Sequence, residues 1–335
     1  MKRIRTLTIV LAAALALTGC KAFRTLTGST LKTAQGRPYE LIIVANQPVW
    51  TGPVGDTLRS LLAEPVPYLP QTEPLFDLLR VTPDGFTNMV VDHRNILKVL
   101  VDPSVKEAAV GVVYDVTSKP QIILTLQAPD EASMLAYLNE NGDKIVYALE
   151  QAERDRAVEY AKQFGAPGVE RAVMERFGVE MHVPTGFQLA AAGDDFVWAR
   201  YEYPVASQGF MVYGYPAGPD ALTYESLVAA RSRYAARIPG PSDGSYMITS
   251  PVFPPEMRMF RLEGRLWVEL RGFWDVENDF MGGPFVSYST IDTETGCVFT
   301  YDAYVYAPKL PPHKRNLMHG LEHLFYTISF PPKSE

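Results

Sequence analysis

Near one end of the chain stand His319-Gly320-Leu321-Glu322-His323. The order H-x-x-E-H is an inverted zinc-peptidase motif. His319 and His323, four residues apart on one helix face, could hold zinc while Glu322 activates a water. A helical wheel at about 100° per residue argues for a plainer role. Leu317, Leu321, Leu324 and Ile328 cluster on one side, and the two histidines fall opposite. That pattern predicts histidines on the solvated face of a packed helix. Such peptidases also take a glutamate far downstream as third ligand, and the 12 residues after His323 hold a single acid, Glu335. Gly320 weakens the helix at the motif itself. A metal-dependent envelope hydrolase built on His319, Glu322 and His323 therefore stands as the alternative reading, and the expected set of catalytic residues, metals and cofactors is empty.

Other strings could carry chemistry. Gly240 to Gly244, "GPSDG", fits the G-x-S-x-G of a nucleophile elbow, but that elbow needs a strand before it and a helix after it. Here a helical pattern precedes and "SYMIT" follows, so a turn is expected. Asp275, Glu277 and Asp279 open like a calcium loop. The positions that need Gly and Glu carry Phe280 and Val286 instead. Cys297 alternates with Phe299 and Tyr301 in a strand pattern and is expected to be a buried, inert thiol. Trp198, Tyr201, Tyr203, Tyr213, Tyr215, Trp267 and Trp274 could floor a groove for glycan or peptide, though half-buried sheets need such residues for packing alone.

The elements that must position these residues alternate between strands and helices. "YELIIVA" (Tyr39 to Ala45) is apolar throughout, which suggests a strand buried on both faces. A helix follows over about 52–63, and strands over 75–81, 95–101, 109–113 and 121–127. Asp130 is placed to cap the next helix, with a break at Asn141-Gly142 and an exposed, charge-paired stretch at 150–162. Gly165-Ala166-Pro167-Gly168 marks a boundary, and Gly178 a helix stop. The second half reads as "FVWARYEY", "GFMVYGYP", a helix over 222–237, a hairpin turning at Glu263-Gly264, two further strands around Thr293 to Gly296, and a helix from about 312 to 328. The predicted class is α+β, with largely antiparallel sheets and flanking helices. Each half reads as strands finishing in a helix, which suggests two related α+β subdomains.

The start of the chain differs. Lys2, Arg3 and Arg5 precede the apolar run Leu7 to Leu17, and the segment ends Leu17-Thr18-Gly19-Cys20. This is a secretory signal closed by a string that resembles the bacterial lipobox. It implies cleavage before Cys20 and fatty acylation of its thiol and new amine. Each buried CH₂ contributes about 0.8 kcal/mol, so two or three chains anchor stably. Lys21 after the cysteine implies the outer membrane, facing the periplasm. The expected organisation is a signal peptide at 1–19, lipidated Cys20 with a flexible tether to 36, an N-terminal subdomain at 37–165 and a strand-rich C-terminal one at 166–330. Removing residues 1–19 takes away three basic residues and no acid, leaving 28 basic against 38 acidic, a net near −10. That sign disfavours nucleic acid as a partner. Membrane, through the anchor, and an envelope protein or glycan are the expected partners. With Cys20 acylated, Cys297 has no mate for an internal disulfide.

"RPYELIIVA" (Arg37 to Ala45), "RNI" (Arg94 to Ile96), "RGFWDVENDFMGGPFVS" (Arg271 to Ser287) and "VYAP" (Val305 to Pro308) carry a resemblance. The chain resembles uncharacterised lipoproteins of Bacteroidota-type bacteria, domain of unknown function 4837, over about 37–330. The family has no assigned activity to transfer. The most specific segment points to Arg271, Trp274, Asn278, Asp279, Gly282 and Gly283 as a candidate binding surface. The expected role is a periplasm-facing binding or interaction module without covalent chemistry.

Overall fold

A computed structural model describes residues 31–309, 311 and 313–332. The expected signal peptide, Cys20 and the first part of the tether lie outside them. The fold begins earlier than expected. Lys32–Thr33 runs parallel to Ser118–Lys119, and the amide of Gln35 bonds Asp92 O at 2.9 Å. The later part of the 20–36 segment is therefore ordered against the body. Its polar side chains hide this, because the pairing is made by backbone, with Lys32 Nζ adding an ion pair to Asp92 at 2.8 Å.

The first sheet has five strands: β1 (Glu40–Val44), β2 (Asp77–Val81), β3 (Asn95–Val101), β4 (Ala109–Tyr114) and β5 (Ile122–Ala128), in the order β2-β1-β3-β5-β4. All pairings are parallel except β4 with β5. Parallel strands are covered on both faces, which is why β1 and β3 read as near-continuous apolar runs. Helices α1 (Gln47–Thr51) and α2 (Pro53–Leu62) return the chain from β1 to β2. The long α3 (Glu131–Gln163) follows β5, its first turn capped by Asp130, whose carboxylate accepts from the Ser133 amide at 2.8 Å. Val54, Leu58 and Leu62 of α2 join Met134, Leu138, Ile145 and Leu149 of α3 over Leu41, Ile43, Leu97 and Leu124.

The expected break at Asn141-Gly142 does not occur. Gly142 is a packing position, since a Cβ there would lie 2.7 Å from Leu61 Cδ1. The glycine admits α2 rather than ending α3. With 33 residues, α3 is about 50 Å long, enough to cross the whole molecule. Ala152 packs in the first core and Ala161 in the second.

Helix α4 (Pro167–Phe177) opens on proline and stops at Gly178 with φ +65°. The second sheet is antiparallel and has eight strands: β6 (Gln188–Ala192), β7 (Phe196–Glu202), β8 (Ser207–Pro216), β9 (Tyr246–Thr249), β10 (Glu256–Leu262), β11 (Arg265–Glu277), β12 (Gly282–Asp292) and β13 (Cys297–Tyr306). The order is β9-β11-β12-β13-β8-β7-β6, with β10 also paired to β11. Its side chains alternate between two cores. Val212, Trp267, Val286 and Tyr301 face α4 and α6 (Lys314–Phe325). Met211, Tyr213, Val268, Leu270 and Trp274 face α5 (Tyr224–Ala235). The fold is α+β, but the halves do not repeat one topology: the first sheet is mainly parallel and the second is an antiparallel layer between helices. Among the described residues no helix is long and apolar enough to cross a membrane.

Candidate functional site

Helix α6 does not show its polar side to solvent. His319 and Glu322 are 9 % exposed and His323 is 7 % exposed. The wheel sorted the apolar face correctly, toward the second sheet. It could not show that α3 and the start of β1 cover the other face. Glu73, 1 % exposed, comes from the loop before β2 and accepts the Lys314 and Arg315 amides at 3.0 and 3.1 Å. A carboxylate there satisfies free N–H groups and complements the helix dipole. Arg315, fully buried, donates to Asp77 at 2.8 Å. Sequence distance conceals all of this.

The histidines do not converge. Tyr39, 2 % exposed, stacks on His319 at 4.6 Å between ring centroids, and its hydroxyl is hydrogen bonded to His323 Nε2 at 3.3 Å. Burial, then the nearby charges of His319 and Arg154, push His323 down to about 3. His319 donates from Nδ1 to Glu322 at 3.1 Å. Glu322 also receives Arg271 Nη1 at 2.5 Å. Burial opposes the Glu322 charge, but Arg271 and His319 outweigh it and hold its carboxyl far below the usual range. Among the described residues no cluster of three or more His, Cys, Asp or Glu has metal-holding geometry. The motif instead belongs to the joint between the halves.

That joint contains a cavity of about 590 Å³. Glu64, Pro65, Val66, Pro67, Tyr68 and Leu75 form one wall, and Glu150 and Arg154 of α3 the next. Glu256, Met257 and Arg258 of β10, Glu269 and Arg271 of β11, Tyr288 of β12, His319 and Glu322 of α6, and Tyr326 just beyond it complete the lining. A chain of charges holds part of the lining rigid: Arg258–Glu269 at 3.0 Å, Glu269–Arg271 at 3.5 Å, Arg271–Glu322 and Glu322–His319. Burial works against the Arg271 charge, yet Glu322, Tyr288 and Glu269 more than compensate and raise its pKa. Burial and then the Glu322 charge push Glu150 upward, against the pull of His319 and Arg154. Burial and a hydrogen bond to Glu256 push Tyr68 up to about 12.

Residues 150–162 are charge-paired as expected, Glu153 with Arg156 and Glu159 with Lys162, but one side of the stretch is buried rather than exposed. Glu153 is 2 % exposed and receives Arg94 at 2.7 Å, Arg156 at 3.1 Å, Asn95 Nδ2 at 2.6 Å and the Tyr39 amide at 3.3 Å. Ala152, Ala157 and Ala161 among those charges were the available sign of close packing on that segment.

The six residues of the expected surface disperse. Arg271 faces the cleft. Trp274, three residues on and on the other face of β11, is 1 % exposed and donates to Val305 O at 3.2 Å. It is core, not surface. Gly282 and Gly283 pack on Trp274, and a Cβ on Gly283 would collide with Val305 O. Gly283→Ala is expected to lower stability by about 1–3 kcal/mol in urea unfolding, because two strands must separate to admit it. Asn278 takes φ +64° in the turn after β11, and the Asp279 carboxylate accepts from Ser242 Oγ and from the Phe280 amide. "GPSDG" is accordingly a turn tied to a neighbouring turn. Cys297 is partly exposed at the start of β13, where the strand pattern had predicted burial. Of the aromatics, Trp198, Tyr213 and Trp267 are buried. Tyr201 and Tyr203 line a separate cavity of about 530 Å³ with Tyr160 and Phe187.

Residues 167–327 match the family model described as domain of unknown function DUF4837. The C-terminal half belongs to that family. The strings around Asn278, Gly282 and Val305 fall inside the DUF4837 part. "RPYELIIVA" and "RNI" do not: residues 34–162 match a separate model, domain of unknown function DUF8532. The resemblance thus reaches a shorter span than expected, and the cleft lies where the two matched parts meet. No curated protein matches the chain. Solved structures with distant similarity include the following three. The Saccharomyces cerevisiae Ran-binding protein Mog1p shares 7 % identity over 46 % of this chain and 92 % of its own, with a TM-score of 0.32. LpqN of Mycobacterium tuberculosis, involved in cell envelope biogenesis, shares 12 % over 45 % and 82 %, at 0.28. The human StarD13 lipid transfer and protein localization domain shares 11 % over 47 % and 95 %, at 0.20. Scores this low carry no argument about function.

Proposed function

We propose that this chain is a lipid-anchored binding module of the bacterial outer membrane, facing the periplasm, that holds a polar ligand in the cleft between its halves. The observation that supports this reading is the cleft itself. Its 590 Å³ lies within the roughly 300–1,000 Å³ of small-molecule sites. Its charged wall is fixed in place by ion pairs before any ligand arrives, which lowers the ordering cost of binding. The anchor is carried by the lipobox-like string at Cys20.

Two measurements test the reading. Small-molecule fractions of envelope extract should raise the melting temperature of the purified chain, since a ligand at 100 times its Kd stabilises by about 2.7 kcal/mol. Met257→Trp, which fills the cleft, should remove the shift. An equal shift in both proteins would move the ligand elsewhere. Cys20→Ser should release the protein from membranes into the soluble fraction of the envelope. Unchanged membrane association would remove the anchor from the account.

A further inference from the structure

The cleft wall carries two opposite charges that do not meet. Glu150 and Arg154 stand one turn apart on α3, the spacing at which a glutamate ahead of an arginine ordinarily closes an ion pair. Among the described residues neither has an ion-pair partner. Arg154 lies on the Tyr326 ring at 3.6 Å, donates only to Gln151 at 3.3 Å, and leaves its buried Nε unpartnered. The other arginines of the cavity are engaged, Arg258 by Glu269 and Arg271 by Glu269 and Glu322. His319, nine-tenths buried, lines the same cavity and has no partner at Nε2. Opposite charges left facing one cavity can be satisfied together by a ligand that carries both.

We propose that the cleft takes a zwitterionic α-amino acid head, its ammonium group on Glu150 and its carboxylate on Arg154, with a cationic side chain directed at Glu64 and Glu256. This deepens the binding reading above and rests on it. One helical turn, about 5.4 Å, suits an ammonium and a carboxylate borne on the same carbon. The planar Arg154 guanidinium, 3.6 Å from the Tyr326 ring centroid, is the group on this wall that can give a carboxylate a two-point hydrogen bond. Five glutamates and three arginines line the cavity, so a purely anionic ligand meets net repulsion. Among the described residues Glu64 and Glu256 have no cationic partner, Glu256 being hydrogen bonded to Tyr68, and this favours a second positive group on the ligand. Pro65, Val66, Leu75 and Met257 offer apolar surface to its methylenes.

Calorimetric titration with L- and D-lysine, Nα-acetyl-lysine and lysine amide tests the assignment. At least one lysine isomer should bind, and blocking either head group should weaken binding by about tenfold or more, as expected for loss of a charge-assisted contact. Glu150→Gln should weaken lysine and leave Nα-acetyl-lysine unchanged. Arg154→Gln should weaken lysine and leave lysine amide unchanged. Circular dichroism and melting curves establish that both variants fold. The inference is overturned if blocked and free lysine bind alike, or if no lysine form binds. In the latter case a melting shift with envelope extract that Met257→Trp abolishes would still uphold the cleft as a binding site.

Discussion

Asp302→Ala lowers the stability of the chain by about 3–5 kcal/mol, the cost expected for removing one partner of a buried ion pair. Arg231 of α5 and Asp302 of β13 are both fully buried where the helix packs on the sheet. The guanidinium donates to the carboxylate at 2.9 and 3.3 Å and to Thr249 Oγ1 at 3.0 Å, and lies 3.4 Å from the Phe285 ring. Without Asp302 a charge remains in the core with no anion near it. Burial already pushes Asp302 up to about 6, against the pull of Arg231, so the pair is a costly arrangement even when whole. Replacing both partners with apolar residues of similar volume, as in Arg231→Met with Asp302→Leu, should restore most of the loss. Urea unfolding of the wild type and the two variants decides the matter. A single-variant loss below about 1 kcal/mol would mean that water reaches the site.

Acid should weaken the joint between the halves through His323. Its pKa is 6.5 in the unfolded chain and about 3 when folded. As pH falls, protons bind the unfolded chain first. The stability contributed by the neutral, buried ring is therefore complete above about 6.5, lost progressively below it, and gone near 3. Each pKa unit is worth about 1.4 kcal/mol, so the effect is on the order of a few kcal/mol. The groups facing the ring are Tyr39 from the first half, Arg154 from α3, and His319 and Glu322 from α6. Glu322 stays ionised through this window. Asp302 acts with the opposite sign, since its raised pKa means that the folded chain takes up that proton first. The measurement is therefore the difference between the wild type and His323→Phe, which keeps a stacked ring and loses the proton site. Unfolding free energies from pH 7 to 4 should fall more steeply for the wild type. Parallel curves would show that His323 is not the acid-sensitive group.

Most elements could be read from the residues, because each depends on a local cause. Gly178 with positive φ ends α4, Asp130 caps α3, and Glu263-Gly264 turns the β10–β11 hairpin. The joint could not be read, because its causes are distant. Nothing near Glu73 announces that it caps a helix starting at Lys314. Nothing near Tyr39 announces that it stacks on His319. The polar side of α6 has the periodicity of a solvated face, and a wheel cannot distinguish water from a second set of buried polar partners. Trp274 misled in the opposite direction: its neighbours Asn278 and Asp279 are turn residues, and proximity in sequence suggested a shared surface. One bond inverted that expectation, from the indole nitrogen to Val305 O.

Helix α6 follows every strand in the order of synthesis, yet residues from both halves close upon it. Until Lys314 to Phe325 has left the ribosome, the Glu73 and Asp77 carboxylates and the Tyr39 ring lack their partners on this helix, and the DUF4837 sheet has only α4 on one face. A nascent chain can build the first core early, but the second closes only when this helix packs on its sheet. A stop at any point before this helix would leave two open surfaces for a chaperone or protease to find.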